Sequence, residues 1–308
     1  MKSLYICKPD FPSDLIPLLE KKYKITARPK DKGYQTEEEL CETAKQYDGM
    51  IVAAKYNQVT KKVYDALNGK DFILATVSAG FDHIDDAFLN NEKIKMLSLT
   101  GANALSVAEH TITLMLSIYK KIAISNKAMF DGTGRKGIGA LPNEVSGKVL
   151  GVIGAGFIGK KVIEFAKAFN MKILCYTVGL PENDPLNNQV EMCSVERVLK
   201  ESDVVTIHTP LNKETVNYLN RERLSLMKQG SILLNTSRTR LVDYKALADL
   251  MKQGVIRGAG LDIDDDETEI INLLREIDNV ILTPHVAGVT VESVRQSHEQ
   301  IVEKLLAL

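Results

Sequence analysis

The sequence predicts an α/β fold of two domains, each a doubly wound parallel sheet. Two observations carry that prediction. Short apolar runs alternate with helix-spaced segments through the first hundred residues and again from residue 149 onward, the pattern of a parallel sheet covered by helices. One of those runs, Val149–Ile153, leads directly into Gly154-x-Gly156-x-x-Gly159, and the residues that follow, Val162 to Phe169, have helical spacing. A strand, a glycine turn and a helix in that order are the context a dinucleotide fingerprint requires. The second half therefore reads as a Rossmann-type dinucleotide-binding domain, inserted into a flavodoxin-like first domain.

In the first domain, Leu4–Cys7, Gly49–Val52, Phe72–Ala75 and Ile94–Leu97 read as strands, with helices at Ser13–Lys22, Thr36–Gln46 and Thr60–Leu67. From Asn103 to about Lys127 the apolar stripe through Val107, Thr111, Leu114 and Leu116 predicts one long helix, with Ser106 as a possible cap. Residues 131–147, rich in glycine with a proline, read as a connection. Six strands then follow: Val149–Ile153, Lys172–Tyr176, Asp203–Ile207, Ser231–Leu234, Gly258–Leu261 and Val280–Leu282. The last amphipathic helix, Val291–Leu306, is expected to return to the first domain. The expected boundaries are 1–102 with 286–308 for the substrate-binding domain and 103–285 for the dinucleotide-binding domain.

Composition narrows the function. The chain has 308 residues, 44% hydrophobic and 26% charged, which suits a soluble globular protein with two cores. Its 39 basic and 40 acidic side chains nearly cancel, so neither nucleic acid nor an anionic membrane is expected as a partner. The N-terminal apolar run is too short for a signal peptide, and no stretch reaches transmembrane length. Cys7, Cys41, Cys175 and Cys193 form no CxxC pair and no zinc spacing. Cys7 and Cys175, inside strand-like runs, read as buried hydrophobes, and a reducing cytoplasm is the expected location.

In the fingerprint, Gly154 permits the tight turn, Gly156 leaves the backbone open to a pyrophosphate, and Gly159 lets helix and strand approach. Phe157 and Ile158 open the helix, whose free N–H groups and positive dipole end suit phosphates. Three further stretches end predicted strands: Asn235–Arg238, Gly260–Asp262 with Glu267 following, and Thr283–His285. In open α/β sheets ligands bind outside the carboxyl ends of the strands, so Arg238, Glu267 and His285 converge on one crevice in this reading. A guanidinium matches a carboxylate with two parallel hydrogen bonds. An imidazole exchanges protons near neutral pH, and a carboxylate beside it fixes its tautomer.

These motifs together resemble the D-isomer-specific 2-hydroxyacid dehydrogenase family. The resemblance runs from Val77-Ser78-Ala79-Gly80-Phe81-Asp82-His83-Ile84-Asp85 and Asn103-x-x-x-Val107-Ala108-Glu109-His110, through Gly154–Gly159 and His208-Thr209-Pro210-Leu211. It continues in Asn235-x-Ser237-Arg238, Gly260-Leu261-Asp262-Ile263 with Glu267, and Thr283-Pro284-His285. It implies that Arg238 binds the substrate carboxylate and 2-oxo oxygen, that His285 is the acid/base, and that Glu267 pairs with His285. Backbone N–H groups around Ala79 and Gly80 would take the carboxylate. Asp262 would face the nicotinamide carboxamide, His208, Thr209 and Pro210 would lie along the adenosine half, and Thr177 and Thr236 would complete the cofactor side. The family further implies two domains with a cleft that closes on substrate, and a homodimer.

The departures from the family pattern are specific. Thr177 stands where NAD-preferring relatives carry an acid, yet no Lys or Arg lies between Ile173 and Glu196 to receive a 2′-phosphate. NAD is therefore the expected cofactor, with NADP possible. Thr239 replaces a glycine, Asp264 an aromatic residue and Thr268 a proline, leaving an acidic run from Asp262 to Glu269. A calcium loop starting at Asp262 would need glycine sixth and glutamate twelfth, where Glu267 and Leu273 stand, so no metal is expected. His83 and His110 read as structural, and His298 as exposed. The expected activity is an NAD(P)-dependent 2-oxoacid reductase on a small 2-oxo or 2-hydroxy acid. The alternative is a dinucleotide-binding regulator that senses NADH without turnover.

Overall fold

The computed structural model describes all 308 residues. The chain divides into two compact units, Met1–Asn103 with Val291–Leu308, and Ala104–Thr290.

The first unit holds a five-stranded parallel sheet: β1 (Ser3–Ile6), β2 (Lys24–Ala27), β3 (Gly49–Val52), β4 (Phe72–Thr76) and β5 (Ile94–Leu97), in the order β2-β1-β3-β4-β5. That order is the flavodoxin type. Successive strand residues point to opposite faces, so Met50 and Val52 enter one core with Leu40, Val63 and Phe88. Ile51 enters the other, with Leu4, Ile6 and Leu19. Helices α1 (Ile16–Glu20), α2 (Glu37–Gln46), α3 (Lys61–Asp65) and α4 (Asp86–Leu89) connect the strands. Helix α2 starts where Thr36 and Glu39 form a reciprocal capping box. The C-terminal helix, Val291–Leu306, packs Ile301, Val302 and Leu305 into the second core. His298 shares that stripe. Contrary to the expectation of exposure, it is buried, with Nδ1 2.6 Å from the Val294 carbonyl and its ring edge-on to Phe11.

The second unit holds seven parallel strands: β6 (Val149–Ile153), β7 (Lys172–Tyr176), β8 (Glu191–Met192), β9 (Val204–Ile207), β10 (Ser231–Asn235), β11 (Ile256–Asp262) and β12 (Val280–Thr283). Their order is β12-β11-β10-β9-β6-β7-β8, the Rossmann order with one added strand at the edge. Seven helices accompany them: α5 (Ala104–Tyr119), α6 (Ile122–Phe130), α7 (Phe157–Ala168), α8 (Val195–Glu201), α9 (Arg221–Ser225), α10 (Tyr244–Lys252) and α11 (Thr268–Leu274). The single helix expected over 103–127 is broken. Lys121 adopts a left-handed φ of 52°, and the Tyr119 carbonyl at the end of α5 accepts from the Asn143 N–H instead of continuing a helical ladder. Ser106 lies within α5 and bonds to Thr290 rather than capping. Helix α5 is buried against the sheet because Gly258 and Gly260 leave room for Ile118 and Leu114, where a methyl group would stand 2.9 Å from each. No helix is long and apolar enough to cross a membrane.

Candidate active site

Parallel registry aligns the strand ends of the second unit. Ile153 pairs with Ile207, Ile207 with Asn235, and Asn235 with Leu261, while Asp262 pairs with Thr283 at the edge. Everything that follows these residues leaves the sheet from its carboxyl edge: the Gly154 turn, His208, Thr236–Arg238, Asp262–Glu267 and Pro284–His285. The turn after β6 lies between β7 and β9, where the strand order reverses.

The geometry of the glycine turn suits a dinucleotide. Gly154 has a φ of +96°, and a side chain there would stand 2.8 Å from the His208 backbone. A methyl group on Gly159 would meet the Gly154 carbonyl at 2.1 Å. Gly156 instead faces open space, with nothing within 4 Å of where a Cβ would sit. It is also the N-cap of α7, and no side chain caps that helix. The N–H groups of the first turn, from Phe157 and Ile158 onward, thus remain to meet phosphate oxygens. Thr177, at the end of β7, accepts a 3.1 Å hydrogen bond from the Ala155 N–H, so its hydroxyl braces the turn. His208 is buried with Nε2 2.9 Å from the Thr206 hydroxyl and no partner for Nδ1, and burial lowers its pKa to about 3. It is a neutral wall of the turn; Thr209 and Pro210 follow it toward the surface.

The Arg238 segment is fixed from both sides. The Asn235 amide donates to the Arg238 carbonyl at 2.9 Å and to the Tyr244 hydroxyl at 3.2 Å, while its carbonyl accepts from Ser237 N–H at 3.0 Å. The Ser237 hydroxyl reaches back to the Ile207 carbonyl at 2.9 Å. Thr236 is buried, 2.8 Å from the hydroxyl of Thr111 on α5. These bonds hold the Arg238 backbone in extended conformation at the sheet edge, with Thr239 buried behind it.

His285 sits in a turn held by Asp262. The buried Asp262 carboxylate accepts from the Val286 N–H at 3.0 Å, the Ala287 N–H at 2.8 Å and the Thr283 hydroxyl. His110 on α5 lies 2.9 Å from the same hydroxyl. Asp262 was expected to face a nicotinamide carboxamide; here its oxygens organise the 283–287 turn. The turn places His285 at a φ of +52°, a conformation that costs an L-residue roughly 1–2 kcal/mol and persists because its surroundings impose it. The expected partner of His285 is not the observed one. Its Nδ1 lies 2.7 Å from Asp264 Oδ1, and Glu267 makes no bond to it. Glu267 is half-buried at the start of α11. Burial first, then the negative charges of Asp266 and Asp264, raise its pKa above the ordinary carboxylate value, against the opposing pull of Arg240. The physical reason is register. Asp264 and His285 each lie two residues beyond the paired Asp262 and Thr283 of neighbouring strands, close enough for their side chains to meet. Glu267 is one β-turn further on, its N–H bonded to the Asp264 carbonyl.

Ala79 and Gly80 belong to the first unit, where they follow β4. The Gly80 N–H bonds to the Ser78 hydroxyl at 3.1 Å, and Ala79 is exposed. His83 is buried there, 2.8 Å from the Thr76 hydroxyl. Tyr244, Thr111 and Asp264 also support the site, through Asn235, Thr236 and His285. Only Asp264 carried a signal, as an acid two positions past Asp262.

Residues 112–287 match the model of the D-isomer specific 2-hydroxyacid dehydrogenase, NAD binding domain. A hydroxypyruvate reductase from Thermotoga maritima is 36% identical over 87% of this chain and 87% of its own length. A D-lactate dehydrogenase from Aquifex aeolicus, solved in complex with NAD and lactic acid, superposes with a TM-score of 0.84 at 30% identity, over 99% of this chain and 94% of that one. An acyclic imino acid reductase in complex with NADPH and D-Arg gives a TM-score of 0.87 at 28% identity, over 100% and 97%. With a dinucleotide turn of the right geometry and a matching domain model, the chain belongs to the D-isomer-specific 2-hydroxyacid dehydrogenase family, NAD-dependent oxidoreductases that act on the CH–OH group of 2-hydroxy acids.

Proposed function

We propose that this protein works as a reductase of small 2-oxo acids, with Arg238 as the carboxylate anchor and His285 as the acid/base. The observation that carries the reading is the emergence of both residues from the carboxyl edge that also carries the Gly154–Gly159 turn. When bound, NADH supplies the hydride that C2 of the acid receives. Arg238 grips the carboxylate through paired hydrogen bonds and places the 2-oxo oxygen, stabilising charge that develops there. His285 gives its Nε2 proton to that oxygen, and in the reverse direction takes the hydroxyl proton. Asp262 keeps the His285 turn in place. Within the first unit, the N–H of the exposed Ala79 is the group offered to a carboxylate, the Gly80 N–H being held by the Ser78 hydroxyl.

The hydroxypyruvate and lactic acid in the relatives' names, both three-carbon acids, favour a small 2-oxo acid of similar size. NADH is favoured over NADPH, because the stretch from Ile173 to Glu196 offers no cation to a 2′-phosphate and Asp184 within it is ion-paired to Lys160. The four free cysteines suit a reducing cytoplasm, and burial pushes the Cys175 thiol up to about 12. A homodimer is supported by the exposed apolar side chains Ile122, Met129 and Phe130 on α6 and Leu141 beyond it; light scattering of the native chain should read the mass of a dimer. Nothing in the comparisons favours the NADH-sensing regulator.

The test is Arg238→Ala beside Arg238→Lys. The alanine variant is expected to lose at least about a hundredfold in kcat/KM on 2-oxo acids, and lysine to restore only a fraction, since its point charge cannot form the two-pronged match. NADH affinity should stay within about threefold of native. Equal turnover by the native chain and Arg238→Ala would refute the assignment.

A further inference from the structure

We infer that Asp264, not Glu267, is the carboxylate that positions His285 for proton transfer in this chain. The inference rests on the reading of His285 as the acid/base. Three independent observations lead to it.

The first is contact. His285 Nδ1 and Asp264 Oδ1 are 2.7 Å apart, a charge-assisted hydrogen-bond distance, and both side chains are about one-third exposed (34% and 37%). An ionised carboxylate only accepts, so Nδ1 carries the hydrogen and Nε2 is left to exchange a proton with substrate. The second is framework. Asp262 and Thr283 pair in register at the ends of β11 and β12 and are joined by a side-chain hydrogen bond. The Ile263 N–H continues the ladder to the Thr283 carbonyl at 3.0 Å. Asp264 and His285 follow the Asp262–Thr283 pair by two residues each, and the short side chain at 264 reaches the imidazole directly. An aromatic residue at this place would carry no negative charge opposite the imidazole.

The third is the setting of Glu267. It lies beyond the Asp264–Glu267 turn, where the charged groups acting on it are Asp266, Asp264 and Arg240. Burial first, and then the like charges of Asp266 and Asp264, raise its pKa above the ordinary carboxylate value, and no hydrogen bond joins it to the imidazole. Asp264, already bonded to the ring, is the better counter-charge. The departure from the family pattern at position 264 thereby becomes a working part: the carboxylate bonded to the ring lies three residues nearer the strand end than Glu267.

The experiment uses the full chain labelled with 15N. The imidazole nitrogens of His285, assigned by their loss in His285→Gln, are compared in native protein, Asp264→Asn and Glu267→Gln, together with NADH oxidation by 2-oxo acids. Asp264→Asn should redistribute the His285 tautomers and lower kcat about 10- to 100-fold with KM within about threefold. Asp264→Glu should recover part of the loss. Glu267→Gln should leave the His285 nitrogens at their native shifts and cost less in kcat than Asp264→Asn. Native ring signals in Asp264→Asn, with the large change moved to Glu267→Gln, would overturn the inference. Should the native chain oxidise NADH with no 2-oxo acid, the reading of the reaction fails, while the ring nitrogens in the two variants still decide which carboxylate holds His285.

Discussion

His208 shows how one buried group ties stability to pH. Its ring is enclosed, its Nε2 is bonded to Thr206, and burial lowers its pKa from an ordinary 6.5 to about 3. Between those values the unfolded chain binds a proton that the native chain refuses, so stability rises with pH through that window. The contribution is complete above about pH 6.5 and is lost as pH falls toward 3. Denaturant midpoints measured from pH 7 to pH 4 should therefore fall, and should fall less steeply in His208→Gln; equal slopes would count against the neutral wall. At this scale the sequence made the placement of the candidate residues legible, not their contacts. Arg238 and His285 follow strand-like runs, and the register of those strands brings both to one edge. The partner of His285 was not legible from family spacing, because spacing along the chain pointed to Glu267 while adjacency across two strands selects Asp264. The burial of His298 was hidden for a similar reason, since a single imidazole among charged helix residues gives no sign of facing Phe11.

In the proposed function NADH binding depends on the β6–turn–α7 unit, whose glycines differ in what a side chain would meet. Gly159→Ala puts a methyl group 2.1 Å from the Gly154 carbonyl, an overlap that only backbone movement relieves. It should cost about 1–3 kcal/mol in stability, read from chemical denaturation. Gly156→Ala meets no atom within 4 Å and requires no left-handed backbone. Its stability should change by no more than about 1 kcal/mol, the cost of alanine at an N-cap, while NADH affinity falls at least about tenfold, because the methyl group stands where the pyrophosphate would lie. A Gly156→Ala variant that binds NADH as the native chain does would remove the phosphates from this turn. The strands missed from sequence were short edges. β2 exposes Lys24 and Ala27, and β8 is two exposed residues, so neither has the buried periodicity that marks a strand. The break between α5 and α6 has a different origin. The apolar pattern runs on through Ile122, and the chain turns because Asn143 takes the last carbonyl of α5, a contact from outside the helix.

For the molecule as a whole, the two parallel sheets are what the alternating segments predicted, and their strand orders are the flavodoxin and Rossmann orders. Fold alone does not fix chemistry. The functional account instead depends on residues at one carboxyl edge of the second sheet: an open glycine turn, an arginine braced by Asn235 and Ser237, and a histidine held by Asp262 and paired to Asp264. The most direct measurement is the absorbance of NADH over time with the native chain and a panel of small 2-oxo acids, hydroxypyruvate, glyoxylate and pyruvate among them. The account predicts a fall that requires both protein and acid, is faster with NADH than with NADPH, and yields the D-hydroxy acid where the product is chiral. NADH that binds but is consumed with none of these acids would contradict it.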